Sequence, residues 1–157
     1  MSESIINEMN EIGKGFVKVA KQKLLKEVVK ASCDWHKQVL DKAYKKYSLS
    51  GDSASELYES EKGVHFVTYL HFETFSEEEA LVILKYAIST ATRKIKKLWR
   101  ISQDITETLT YSLRPDEVSF RLVLTIPWRP IILLAKQIKE EDEKIKEKYK
   151  DYFEKKY

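Results

Sequence analysis

Cysteine, proline and glycine are scarce in this chain, which has one, three and four of them among its 157 residues. The single cysteine, Cys33, excludes an intramolecular disulfide, and its helical surroundings favour a small packing residue over a nucleophile. Four glycines cannot form a Gly-rich phosphate loop. No apolar run approaches the roughly 18 residues of a transmembrane helix, so we expect no association with a membrane.

Amide side chains are also scarce. Asn and Gln together number six, whereas charged residues make up 34% of the chain. Few amides beside many Lys and Glu residues are typical of hyperthermophile proteins, which favours a thermophilic source such as an archaeon or an archaeal virus. The polar, acidic N-terminus is unlike a signal peptide, and with the lone thiol it predicts an intracellular protein, cytoplasmic or in the host cytoplasm if viral.

The ionisable residues exclude a zinc site but leave a nucleic-acid partner open. One cysteine and three scattered histidines do not make the tetrahedral ligand set that zinc requires. The net charge of +3 and the isoelectric point of about 8.7 permit nucleic-acid binding without requiring it.

The most informative pattern lies at 104–127, where two segments alternate between apolar and polar side chains. From Ile105 to Leu113 the odd positions are mostly apolar and the even positions hold hydroxyls, and from Val118 to Ile126 the even positions are apolar. A period of two predicts a strand, and Pro115 favours a tight turn between the two segments. The sequence therefore predicts a β-hairpin and an α+β fold.

The rest of the chain predicts the element order α-β-α-β-β-α in a single domain, 1–157. An apolar repeat of three to four residues predicts a long first helix with a bend or break near Gly13 and Gly15. Ser76 and Glu79 form a capping-box pattern at the start of the second helix. The predicted elements are a helix at 4–47, a loop at 48–62, a strand at 63–73, a helix at 76–102, the hairpin and a C-terminal helix at 129–157.

These elements predict three long helices on a small three-stranded sheet, antiparallel or mixed, whose β-α-β-β core spans 63–126. The strand at 63–73 is expected either beside the first hairpin strand and parallel to it, or at the far edge of the sheet. Nearly full burial is expected for Phe66, Leu70, Phe72, Phe120, Leu122 and Leu124. The second helix is expected to direct inward Leu81, Leu84, Ile88, Ile95, Leu98 and Trp99.

The strongest candidate site is the basic run at 93–100, which places five positive charges within eight residues of one helix. Phosphate groups need such a cluster, because their neutralisation releases counterions. A solvated helix face with cations near its C-terminal end is the alternative. The nucleic-acid-binding residues predicted from the sequence are Arg93, Lys94, Lys96, Lys97 and Arg100, joined by Arg121 and by Lys14, Lys18 and Lys21 of the first helix.

Two other surfaces could carry function. The polar sheet face, with His65, Tyr69 and Arg121 among hydroxyls, could stack unpaired bases or could be an ordinary solvated face. Glu73 and His71 lie on one face of a strand and could take part in an acid–base or Mg²⁺ site, with Glu73 as the metal ligand. The acids at 77–79 are better explained as residues that complement the helix dipole.

The element order from residue 63 onward is similar to that of type I KH domains and, as loosely, to that of nucleotidyltransferases. The Gly-x-x-Gly turn of the first family and the Asp-x-Asp pattern of the second are absent, so no family is assigned.

From the basic residues described above, we expect a protein that binds nucleic acid, DNA rather than RNA, through phosphates and with little sequence specificity. The alternatives are a Mg²⁺-dependent nuclease acting on DNA, and an interaction subunit that forms a homodimer through its long helices.

Overall fold

The computed structural model describes residues 2–150 and 152, and over these residues the chain forms four helices and a four-stranded antiparallel sheet. The α+β class predicted from the sequence is therefore confirmed, whereas the predicted counts of three helices and three strands are wrong. None of the helices in this described part combines the length and the apolar character that a membrane span needs. The elements are α1 (Glu3–Ile12), α2 (Lys14–Tyr47), β1 (Gly51–Ser60), β2 (Gly63–Glu73), α3 (Glu77–Trp99), β3 (Thr106–Arg114), β4 (Glu117–Pro127) and α4 (Trp128–Lys148).

The sheet has the strand order β1-β2-β4-β3, and all neighbouring strands are antiparallel. The loop predicted at 48–62 is wrong, because most of this segment is β1. Of the two positions predicted for the strand at 63–73, the one beside β3 is wrong, because β4 lies between β2 and β3. Among the three predicted strands β2 does lie at the far end, but β1 pairs with it and forms the edge of the sheet. The small, polar and mostly exposed side chains of β1 give no apolar alternation, so the strand had no signal in the sequence.

Gly63 makes the β1–β2 hairpin possible at its tight end. Its φ is 150°, and a Cβ atom there would lie 2.0 Å from the carbonyl oxygen of Ile126. Only glycine allows β2 to approach β4 this closely at that conformation. The hairpin therefore depends on one residue that the sequence alone did not single out.

The predicted break in the first helix is confirmed at Gly13, whose φ of 114° ends α1 and starts α2. Ser2 caps α1 by accepting a hydrogen bond from the amide of Ile5. Before the break, α1 contacts both α2 and α4. The Arg129 guanidinium of α4 lies 3.1 Å from the Glu8 carboxylate of α1, which ties the two helices together.

One face of the sheet packs against the helices, as the alternation of side chains predicts. Leu70, Phe72, Phe120, Leu122 and Leu124 are all buried. The matching prediction for Phe66 is only partly correct, because Phe66 is half-buried. This apolar face is where α2 crosses the sheet, with the Trp35 ring edge-on to Phe120 at 6.4 Å between centroids.

Polar atoms inside this core are paired. The indole nitrogen of Trp35 donates to the carbonyl oxygen of Ala87 at 2.9 Å, which fixes α2 against α3. Ser32 of α2 and Thr68 of β2 share a buried hydrogen bond. Within the described residues, every buried side-chain nitrogen or oxygen has a partner, so the interior carries no desolvation cost from an unmatched polar group.

Two helices differ from the prediction in their exposed positions. On α3, Leu84, Ile95 and Leu98 are buried as expected, but Leu81, Ile88 and Trp99 are exposed. They lie on the flank of α3 that faces away from α2, where apolar side chains extend beyond the part of the helix surface that the rest of the chain covers.

The C-terminal helix was predicted over 129–157. The structure ends α4 at Lys148, its part beyond Lys139 is mostly exposed, and residues 151 and 153–157 lie outside the described part.

Candidate nucleic-acid interface

The start of α3 is built as a capping box. The Ser76 hydroxyl accepts a hydrogen bond from the Glu79 amide at 3.2 Å, and the Glu79 carboxylate accepts one from the Phe75 amide at 3.1 Å. With Glu77 and Glu78 in the same turn, the acids complement the positive end of the helix dipole. These carboxylates are therefore explained by helix formation.

The other end of α3 carries the basic cluster, and the buried side chains of the helix set its rotation. Ala91, Ile95 and Leu98 are buried, so the residues between them on the far side of the helix face solvent. At about 100° per residue, these side chains cover an arc of about 100°. We call this surface the α3 basic face; its members, all exposed, are Arg93, Lys96, Lys97 and Arg100.

The cations of the α3 basic face form no ion pairs in the described part of the chain. Among the described residues, none of its four members lies within ion-pairing distance of an Asp or Glu. The Arg93 guanidinium makes one neutral contact, donating to the Thr90 hydroxyl at 3.3 Å. The face is therefore a cluster of cations that remain available to an anion.

Lys94 stands apart from this face. It is half-buried and, with Lys97, lines a cleft between α2 and α3. The α2 wall of the cleft carries Glu27 and Asp34, so acidic groups face these lysines across it. The structure therefore assigns Lys94 a mixed environment, and Lys97 lies at the boundary between the cleft and the α3 basic face.

The lysines of α2 lie on a different flank of the molecule. Lys14, Lys18 and Lys21 line an apolar groove between α1 and α2. Lys21 is 2.5 Å from the Glu59 carboxylate of β1 and lies over the Trp128 ring. Since β1 and β3 are opposite edges of the sheet and α3 contacts β3, these lysines and the α3 basic face do not form one surface.

Arg121 lies on β4, apart from the other predicted phosphate ligands on α2 and α3. Its register partner in β2 is Tyr69, whose side chain lies on the sheet face away from the helices. The guanidinium sits 6.0 Å from the Tyr69 ring centroid, an arrangement that favours a cation–π contact. The Tyr69 hydroxyl donates to the Glu56 carboxylate at 2.9 Å. The structure therefore does not bring Arg121 together with the α3 basic face.

His71 and Glu73, the predicted acid–base pair, lie on this same open face at the end of β2. The Nδ1 atom of His71 is 2.7 Å from the Ser119 hydroxyl, and its Nε2 atom is 4.0 Å from the Glu117 carboxylate. Glu73 is the register partner of Glu117. In the described part of the chain, however, no three His, Cys, Asp or Glu side chains are grouped closely enough to hold a metal ion.

One arrangement on the open face was missed by the sequence reasoning. Tyr58 of β1 stacks on His65 of β2 with ring centroids 4.6 Å apart. The two nitrogens of His65 are hydrogen-bonded to the hydroxyls of Ser60 and Thr125, at 2.6 and 2.8 Å. Burial lowers the pKa of His65, with a smaller contribution from Lys62. Predicting this cluster from the sequence would have required the prediction of β1, and the small, polar residues of 48–62 indicated a loop instead.

The sequence matches no protein-family model, and no curated protein is significantly similar to it.

Proposed function

We propose that the protein binds DNA through the α3 basic face, with contacts to phosphates and little sequence specificity. The observation that carries the proposal is the set of four exposed cations on one arc of a rigid helix, without acidic partners in the described part of the chain. When such a cluster binds phosphates, counterions are released from the nucleic acid, and their release makes the free energy of binding more favourable.

The residue types on this face limit direct base recognition. Residues 93–100 contain no Asn or Gln, the residues that read adenine by paired hydrogen bonds, and Lys and Arg, which can read guanine, contact phosphates as well. Phosphate contacts position a protein on nucleic acid without reading its sequence. We therefore expect similar affinities for duplexes of different sequence.

The test is a charge reversal of Arg93, Lys97 and Arg100 to Glu, with binding measured by fluorescence anisotropy on a labelled linear duplex. The matched control reverses Lys144, Lys146 and Lys148, exposed residues of α4 that lie among acids. Both variants change the net charge by the same amount. Loss of binding in the α3 variant alone supports the proposal, whereas equal affinity of the two variants, or binding by neither variant, contradicts it.

The same assay with EDTA and with added Mg²⁺ separates binding from the alternative of a metal-dependent nuclease. If Mg²⁺-dependent cleavage is observed, Glu73→Ala should remove the cleavage while leaving DNA affinity unchanged. Competition with RNA of the same sequence then tests the choice of DNA.

A further inference from the structure

The β3 edge of the sheet lacks most of the features that usually prevent a sheet from pairing with another chain. It pairs with β4 without a bulge from Thr106 to Arg114, and this strand contains no Pro, Gly or Lys. Its single acid, Glu107, lies near one end. Long regular edges of this kind are templates for a further strand.

The opposite edge, β1, is protected by charge. It carries Asp52, Glu56 and Glu59 and no Lys or Arg, so pairing two copies of β1 would bring six acids together. In contrast, β3 carries one acid and one base. Like charges that face each other across strands are destabilising, so β3 is the edge that tolerates a second copy of itself.

The helix above β3 exposes an apolar stripe beside this edge. Leu81, Ile88 and Trp99 are 38%, 40% and 45% exposed, and Tyr111 of β3 is 55% exposed. The three α3 residues are spaced by nearly whole helical turns, so they form one line along the helix. The Trp99 indole donates to the Ile105 carbonyl oxygen at 2.9 Å, which places that end of the stripe at the start of β3.

We propose that two copies of the chain pair antiparallel through β3, on a twofold axis that passes midway between the two copies of Thr110 and is perpendicular to the sheet. In this register Thr110 faces Thr110 of the second copy, and Leu109 faces Tyr111 of the second copy. Thr108 then faces Ser112 of the second copy, while Glu107 faces Leu113 and Arg114 faces Thr106. Near the axis, apolar residues face apolar residues, and no charged residue of β3 faces a residue of the same charge.

The same axis also fits the helices. Eighteen helical steps from Leu81 to Trp99 cover about 27 Å, and eight strand steps from Thr106 to Arg114 cover about 27 Å. Since α3 runs antiparallel to β3 from that shared end, the midpoint of the stripe, near residue 90, lies beside Thr110. Leu81 then contacts Trp99 of the second copy, and Ile88 contacts the region of Thr92.

The exposed apolar side chains supply nearly half of the area that a stable interface needs. Four large side chains that are each about half exposed present roughly 350 Å² of surface. This is nearly half of the roughly 800 Å² that each partner buries in a stable interface, and the strand edge adds to it. The helices of both copies would lie on the same side of an eight-stranded sheet, with both α3 basic faces exposed.

Disulfide trapping tests the register. In a Cys33→Ala background, Thr110→Cys should cross-link two copies under mild oxidation, because directly opposed residues have Cα atoms about 4.5–5.5 Å apart. The matched control is Thr108→Cys, exposed on the same face of β3. Its thiols would be roughly 13 Å apart in the dimer and should not react. No cross-link at Thr110, or equal cross-linking of both variants, would overturn the proposed pairing.

Sedimentation of the uncross-linked protein, without nucleic acid, tests the interface independently of the proposed function. We expect a dimer for the wild type and for Val19→Glu, and a monomer for Ile88→Glu. Val19→Glu is the matched control for Ile88→Glu, because Val19 and Ile88 are 39% and 40% exposed on different helices. A wild-type monomer at the highest soluble concentration, or a dimer that survives Ile88→Glu, would contradict the proposal.

Discussion

The packing of Phe120 allows a sharp test of the fold. Its side chain is 2% exposed, lies opposite Leu70 in the register and meets the Trp35 ring edge-on. Phe120→Ala removes the buried ring and the aromatic pair, so the free energy of unfolding should fall by about 3–5 kcal/mol. The size of the loss reflects both the apolar surface returned to water and the cavity left between α2 and the sheet.

Urea denaturation followed by circular dichroism measures this loss. With a slope of about 2 kcal/mol per molar urea, the midpoint should move down by about 2 M at unchanged slope. Phe75→Ala is the matched control, because Phe75 is 90% exposed and its truncation should change the free energy by less than about 0.5 kcal/mol. Equal losses for the two variants would show that β4 does not face the helices as described.

Two smaller effects test local chemistry. Burial raises the pKa of the Glu107 carboxyl, so the folded chain binds the carboxyl proton more tightly than the unfolded chain does. The free energy of unfolding should therefore fall as the pH rises from the pKa of the unfolded chain through the pKa of the folded chain. Glu107→Gln should flatten that fall in urea titrations from about pH 4 to 7, and an unchanged pH profile would refute the effect of burial. Ser76→Ala should cost about 1 kcal/mol in the same assay through loss of the α3 cap, whereas Ser89→Ala, in the exposed middle of α3, should cost nothing.

The sequence predicted those elements whose side chains alternate or repeat with a clear period. The β3–β4 hairpin, the burial of Phe120 and Leu122, and the break at Gly13 all follow from local rules. β1 did not, because a strand whose side chains are exposed on both faces carries no apolar pattern. It is held by backbone pairing with β2 and by the sharp turn at Gly63, neither of which leaves a hydrophobic period.

The candidate site was predicted in part, for a related reason. Helical periodicity is enough to place Arg93, Lys97 and Arg100 on one exposed arc of α3. It does not place different elements relative to each other. Arg121 lies on the far face of the sheet and Lys21 at the β1 edge because of strand order, which depends on pairing between distant segments. The exposure of Trp99 has the same origin, since it depends on where α3 ends above β3.

Salt dependence of DNA binding tests the central claim most directly. If the four members of the α3 basic face each contact a phosphate, the logarithm of the association constant should fall against the logarithm of salt concentration with a slope of about −3.6, and affinity should fall about 100-fold between 50 and 200 mM salt. Neutralising Lys97 and Arg100 to Gln should reduce the magnitude of that slope by about 1.8. An unchanged slope and affinity in this variant would contradict binding through α3.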